Sequence, residues 1–79
     1  MVPTVLRIGR YRFFFYSGDG HEPRHIHIER DGAVAKFWLK PVRLADPGPF
    51  GKKDLREIEK HIDRHVDQLV EAWDEYFGA

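Results

Sequence analysis

The residue types best suited to chemistry lie in one ten-residue stretch, Gly20 to Glu29, with the sequence GHEPRHIHIE. His25 and His27 are two positions apart, and side chains with that spacing on a β-strand point to the same face of the sheet. Glu29 follows at the same spacing. We therefore expect these three side chains to share one face, opposite to the two intervening isoleucines.

Three interpretations of this stretch remain open from the residues alone. Two imidazoles and a carboxylate are good ligands for zinc, iron, nickel or manganese, with the third ligand supplied by His21, Glu22 or Glu29. An open coordination position on such a metal would activate water. The histidines could instead work without metal, in acid–base catalysis or ligand binding. They could also be ordinary outward-facing polar residues of a strand.

Other chemistries have little support in the sequence. The absence of cysteine excludes disulfides, thiolate metal sites and cysteine nucleophiles. Thr4 and Ser17, the only aliphatic hydroxyl side chains, do not stand in a nucleophile-elbow motif. His61 and His65 are one helical turn apart, but we interpret them as partly buried or surface residues because no zinc-protease motif surrounds them.

The elements that must position these residues are strands in the first fifty residues. Short β-branched, aromatic or alternating runs predict four of them: Thr4 to Ile8, Tyr11 to Tyr16, His25 to Arg30, and Ala33 to Leu39. Asp31-Gly32 between the last two runs predicts a tight hairpin, since type I′ turns need positive φ at both positions. Three prolines between residues 40 and 50 exclude a regular helix there and leave room for a brief edge strand at 42–44.

The last third of the chain predicts one long helix. Apolar residues recur at steps of three and four from about Lys52 to Phe77, with Gly51 as N-cap and Gly78 at the end. The predicted fold is a single α+β domain, 1–79. An antiparallel sheet of three to five strands occupies 1–50, and the helix 52–77 packs on one face. Nothing in the chain is expected to cover the other face.

Charge is divided unevenly between the two parts, although the net charge is zero. Residues 1–53 hold ten basic and five acidic side chains, whereas residues 54–79 hold three basic and eight acidic ones. Either the two parts attract each other and pack together, or one face binds an oppositely charged partner. The longest apolar run, four residues, is too short to cross a membrane, and no charged leader precedes an apolar stretch. We therefore expect a cytoplasmic protein.

The uncovered sheet face is the predicted partner surface. Basic and aromatic side chains are expected there: Arg12, Phe14, Arg24, Lys36 and Trp38. Such a surface suits a partner protein, because exposed aromatics beside arginines are typical of interfaces. A homodimer would also cover it. RNA contact is a weaker possibility, and the acidic helix is poorly suited to reading DNA.

Four motifs together resemble a known family. PTVLRI at 3–8, YRFFFYS at 11–17, EPRHIH at 22–27 and AKFWLKPV at 35–42 are similar, in this order, to a widespread set of small prokaryotic proteins described as domain of unknown function 4160. The resemblance implies that Pro23 sets the chain entering the strand of His25 and His27. Members are often encoded beside a second small domain of unknown function, in an arrangement that looks like a type II toxin–antitoxin pair. The resemblance therefore implies a second small protein as the partner.

The leading hypothesis is a cytoplasmic binding or regulatory module in such a two-protein system, rather than an enzyme. The alternative is a small metal- or histidine-dependent hydrolase, such as a nuclease toxin, in which His25 and His27 are the catalytic residues. In that alternative Glu29 or Glu22 assists, zinc or a similar divalent ion is the candidate cofactor, and Arg24 holds phosphate.

Overall fold

The computed structural model describes residues 3–78. It shows a five-stranded antiparallel sheet followed by one long helix. The strands are β1 (Thr4–Ile8), β2 (Tyr11–Phe14), β3 (His25–Arg30), β4 (Ala33–Leu39) and β5 (Val42–Asp46), and the helix is α1 (Lys52–Phe77). A short 3₁₀ turn, Asp19–His21, lies between β2 and β3. This architecture confirms the predicted α+β class. Met1, Val2 and Ala79, which the single-domain prediction includes, lie outside the described residues.

The sheet is a meander in which each strand pairs with the next one in the chain, in the order β1-β2-β3-β4-β5. The hairpin between β3 and β4 is confirmed, with φ values of 52° at Asp31 and 85° at Gly32. Strand β2 ends at Phe14, earlier than predicted, although the Phe15 N–H still donates to the Pro3 carbonyl at 3.3 Å. The Phe15 ring packs against Trp73 and Phe77 of α1. The edge strand β5 extends two residues beyond its predicted end.

The hydrophobic core lies between α1 and one face of the sheet. Ile26 and Ile28 face the helix, as the alternation predicted, and both are fully buried. The helix buries a stripe of four side chains against them: Ile58, Ile62, Leu69 and Trp73. Gly51 and Gly78 cap the helix at its two ends, as predicted. No helix formed by residues 3–78 combines the length and apolar character that a membrane crossing requires.

The basic sheet and the acidic helix are joined by an ion pair at each end of α1. Arg30 on β3 lies 3.0 Å from Asp54 in the first turn, and Arg24 lies 2.6 Å from Asp74 in the last turns. Arg30 also donates a hydrogen bond to the Tyr11 hydroxyl at 2.9 Å. Opposite charge therefore contributes to holding the two parts of the chain together.

The sheet face opposite the helix is partly covered by the chain itself. The segment between β2 and β3, residues 16–23 (the covering loop), folds back over this face and brings Asp19 next to β3. Phe14 is only 2% exposed beneath Tyr16, His27 and the Arg12 guanidinium. The prediction that nothing covers this face is wrong at this end of the sheet, and the expected exposed position of Phe14 is wrong with it.

The burial of Phe14 predicts that its main contribution is to stability. We expect Phe14→Ala to lower the free energy of unfolding by about 3–5 kcal/mol, the usual cost of emptying a buried phenylalanine site. Leu44→Ala on the edge strand, where the side chain is 43% exposed, should cost less than about 1 kcal/mol. Urea denaturation followed by circular dichroism measures both. Equal losses in the two variants would contradict the burial of Phe14 on the second face.

The Arg30–Asp54 pair predicts a pH-dependent contribution to stability. The hydrogen bond from Arg30 holds the pKa of Asp54 below its ordinary value of 3.8. A carboxyl whose pKa is lower in the folded state stabilises the fold above its unfolded pKa, and this contribution is lost as pH falls through the folded pKa. Asp54→Asn should therefore be less stable than the natural protein at about pH 7, and the gap should narrow below about pH 4. Glu59→Gln, which changes an exposed acid of the same helix, is the control. A gap that stays constant with pH would contradict the role of the pair.

Candidate functional site

Two histidines of β3 converge on an aspartate of the covering loop. The Nε2 atom of His25 lies 3.1 Å from Oδ2 of Asp19, and Nε2 of His27 lies 3.2 Å from the same oxygen. One potential ligand atom from each residue lies within 4.8 Å of those of the other two. The structure thus brings together His25 and His27, as the alternation predicted, and adds Asp19, which the sequence analysis did not name as a site residue.

His25 is fully buried, which the interpretation as an outward strand residue did not anticipate. The ring lies at the start of β3, where Trp73 of α1 approaches to 4.9 Å and Trp38 of β4 to 5.7 Å between ring centroids. Its Nδ1 is 2.8 Å from the carbonyl oxygen of Pro23. A carbonyl only accepts hydrogen bonds, so Nδ1 carries a proton and Nε2 is the atom left to face Asp19.

His27 sits between aromatic rings at the edge of the covering loop. Phe14 stacks on it at 5.5 Å, and Tyr16 meets it edge-on at 4.7 Å. Burial lowers the pKa of His27 below its ordinary value, and the neighbouring Asp19 carboxylate opposes this effect only in part. His27 is therefore neutral near pH 7, with a ring nitrogen able to act as a ligand or a base.

Asp19 is held in position by the backbone of its own loop. Its Oδ2 accepts a hydrogen bond from the Tyr16 N–H at 2.8 Å, and the Asp19 N–H donates to the Tyr16 carbonyl at 3.0 Å. This compact turn aims the carboxylate at β3. The signal in the sequence was an aspartate between two glycines, which predicts a turn but not the direction in which the side chain points.

The other predicted metal ligands lie outside the three-residue cluster. Glu29 accepts hydrogen bonds from the Gly32 N–H at 3.1 Å and from Arg12 at 3.3 Å, and both lower its pKa. Glu22 is 2.6 Å from Lys36, whose hydrogen bond lowers the pKa of this acid. His21 is exposed. The structure therefore does not bring Glu29 or His21 into the three-residue cluster, while Glu22 approaches His25 Nδ1 only to 3.7 Å.

The basic and aromatic residues of the same sheet face form a second feature beside the cluster. Trp38 is half-buried, with the Lys36 ammonium 4.5 Å from its ring. Arg43 lies opposite Trp38 in the β4–β5 register. A shallow cleft at this place is lined by six residues: Pro23, Arg24, Trp38, Lys40, Pro41 and Arg43. We call it the Trp38 cleft. Lys40 and Arg43 are exposed, so the cleft is open to a partner.

The two helix histidines lie apart from this cluster. His61 packs against the Tyr11 ring at 5.8 Å, and His65 Nδ1 is 2.9 Å from the His61 carbonyl oxygen. Both side chains are half-buried, in agreement with the interpretation of partly buried residues. The backbone departs from helical dihedral angles at His65, with φ −119° and ψ 15°.

Comparison with known proteins gives one match. No curated protein and no solved structure matches the chain. A family model described as "Domain of unknown function (DUF4160)" matches residues 11–74, which include the covering loop, the three-residue cluster and most of α1. This match covers most of the chain, and the protein therefore belongs to the DUF4160 family.

Proposed function

We propose that this protein is a cytoplasmic binding module in a toxin–antitoxin-like system of two small proteins. The surface that binds the partner is the Trp38 cleft together with the neighbouring cations of the same sheet face. The single observation that carries the proposal is a partly exposed tryptophan framed by exposed basic side chains, on the face that the helix does not cover.

The contacts of the cations on this face support a partner with acidic groups. Arg12 and Lys36 already have acidic neighbours, Glu29 and Glu22. Arg7, Lys40 and Arg43 are exposed and extend the positive surface toward solvent. An acidic segment with one apolar side chain fits this arrangement, because the indole provides apolar contact area and the cations provide orientation.

A protein partner has more support than RNA or a substrate. The chain has zero net charge and an acidic helix, so it lacks the general attraction to phosphate backbones that supports nucleic-acid binding. The residues that would assist His25 and His27 in the hydrolase alternative form ion pairs with other side chains. These pairs are Glu22 with Lys36, Glu29 with Arg12, and Arg24 with Asp74. The hydrolase therefore ranks below the binding module.

Charge reversal in the Trp38 cleft tests the binding proposal. The proposed partner, the second small protein expected to be encoded beside this one, is titrated into the purified chain by isothermal calorimetry. We expect Lys40→Glu combined with Arg43→Glu to weaken affinity at least about tenfold, because both cations face the partner at the centre of the surface. Raising the salt concentration should weaken binding of the natural protein in the same direction.

The matched control is Arg56→Glu combined with Lys60→Glu, which makes the same change in net charge at exposed positions of α1. This variant should retain the natural affinity. Failure of the natural protein to bind its neighbour, or equal weakening in both double variants, would rule out the proposed surface. Binding of single-stranded RNA that is lost in the cleft variant alone would reassign the surface to RNA.

A further inference from the structure

The cluster of Asp19, His25 and His27 contains buried polar atoms without adequate partners. The Nε2 atoms of both histidines are buried and have no hydrogen-bond partner among residues 3–78. Both lie just over 3 Å from one carboxylate oxygen, but not in the alignment that a hydrogen bond requires. Buried nitrogen atoms in this condition are costly, so the arrangement calls for a further group between them.

The contact between Nδ1 of His25 and the Pro23 carbonyl indicates what that group is. With Nδ1 donating a proton to the Pro23 carbonyl, a ring that carries a single proton presents a lone pair at Nε2. That lone pair faces a carboxylate oxygen, which carries lone pairs of its own. Two acceptors pointed at each other repel, and a cation placed between them turns the repulsion into coordination.

The geometry and the donor set both fit a small transition-metal ion. Bonds of 2.0–2.1 Å in a tetrahedral zinc site place neighbouring ligand atoms about 3.3 Å apart, close to the observed 3.1 and 3.2 Å. Two imidazole nitrogens and one carboxylate oxygen favour zinc, cobalt, nickel or iron over calcium or magnesium, which prefer all-oxygen sites.

The surroundings resemble those of metal-bound histidines. A ligating histidine usually donates its second N–H to a carbonyl or carboxylate, which fixes the ring, and Pro23 provides that contact for His25. The Trp73 and Phe14 rings pack around the two imidazoles and exclude water from their sides. The Tyr16 N–H holds the Asp19 oxygen in place.

We propose that Asp19, His25 and His27 form a binding site for one divalent transition-metal ion, with zinc the best match. The ion joins the covering loop, through Asp19, to β3, through the two histidines. It therefore fixes the loop over the sheet. The evidence for this site is separate from that for the proposed partner surface, since none of its three ligands lines the Trp38 cleft.

Titration with zinc chloride tests the site. The full-length, tag-free chain is stripped with a chelator and studied by isothermal calorimetry. We expect one ion per chain and a higher melting temperature in the presence of zinc. Asp19→Asn, which keeps the shape of the side chain, should weaken affinity at least about 100-fold, since loss of an outer-shell partner alone costs about 10–100-fold. His27→Ala should lose binding as well.

Two control variants separate this site from other histidines. His21→Ala changes an exposed residue of the same loop and should bind zinc as the natural protein does. His61→Ala combined with His65→Ala removes the helix pair and should also leave binding unchanged. Circular dichroism of each metal-free variant establishes that it is folded. If His27→Ala does not fold, Asp19→Asn carries the comparison.

Nuclear magnetic resonance provides a readout at the ligand atoms themselves. Long-range proton–nitrogen spectra should show zinc shifting the Nε2 resonances of His25 and His27, with the Nδ1 proton of His25 retained. Absence of stoichiometric zinc binding in the natural protein would overturn the proposal. The proposal would also be overturned if Asp19→Asn still bound zinc while the variant His61→Ala/His65→Ala did not.

Discussion

One helix can cover only one face of a sheet, and this constraint governs how the remaining chain is arranged. The alternation of β3 places Ile26 and Ile28 toward α1, so the intervening histidines are directed to the second face. In so small a domain an uncovered face would leave the Phe14 side chain exposed to water, and it would then contribute no hydrophobic stabilisation to the fold. The covering loop packs over this part of the second face and buries Phe14. The same course of the chain places Asp19 against His25 and His27.

The regular elements could be predicted from sequence because each has its own periodicity. Alternation in β3 and β4, the Asp31-Gly32 turn and the stripe of α1 each have a physical cause that acts over a few residues. The covering loop has no such period. Its course depends on Tyr16 and Asp19 forming a turn and on the surface that the strands have already built. The position of Asp19 could therefore not be read from local pattern, and neither could the burial of His25.

The burial of His25 shows how a residue predicted to face outward can become part of the interior. The side chain does lie on the face opposite Ile26, as alternation requires, but it stands at the first position of β3. There the ring of Trp73, in the last turns of α1, lies 4.9 Å from the His25 ring between centroids. A fully buried polar ring carries a desolvation cost of roughly 1–3 kcal/mol for each unpaired group. The proposed ligand at Nε2 accounts for a buried histidine here, because an apolar ring of similar size would fill the same space without the desolvation cost.

The proposed ion site and the proposed partner surface are adjacent, and this has a thermodynamic consequence. Glu22 belongs to the covering loop, pairs with Lys36 and thereby holds the ammonium against the Trp38 ring. An ion that fixes the loop through Asp19 also restricts Glu22, three residues further along the chain, and so limits the positions open to Lys36. A partner bound at the Trp38 cleft would contact the Trp38 ring, against which the Lys36 ammonium lies. Coupling between two binding equilibria is reciprocal, so an ion that strengthens partner binding must itself be held more tightly in the complex.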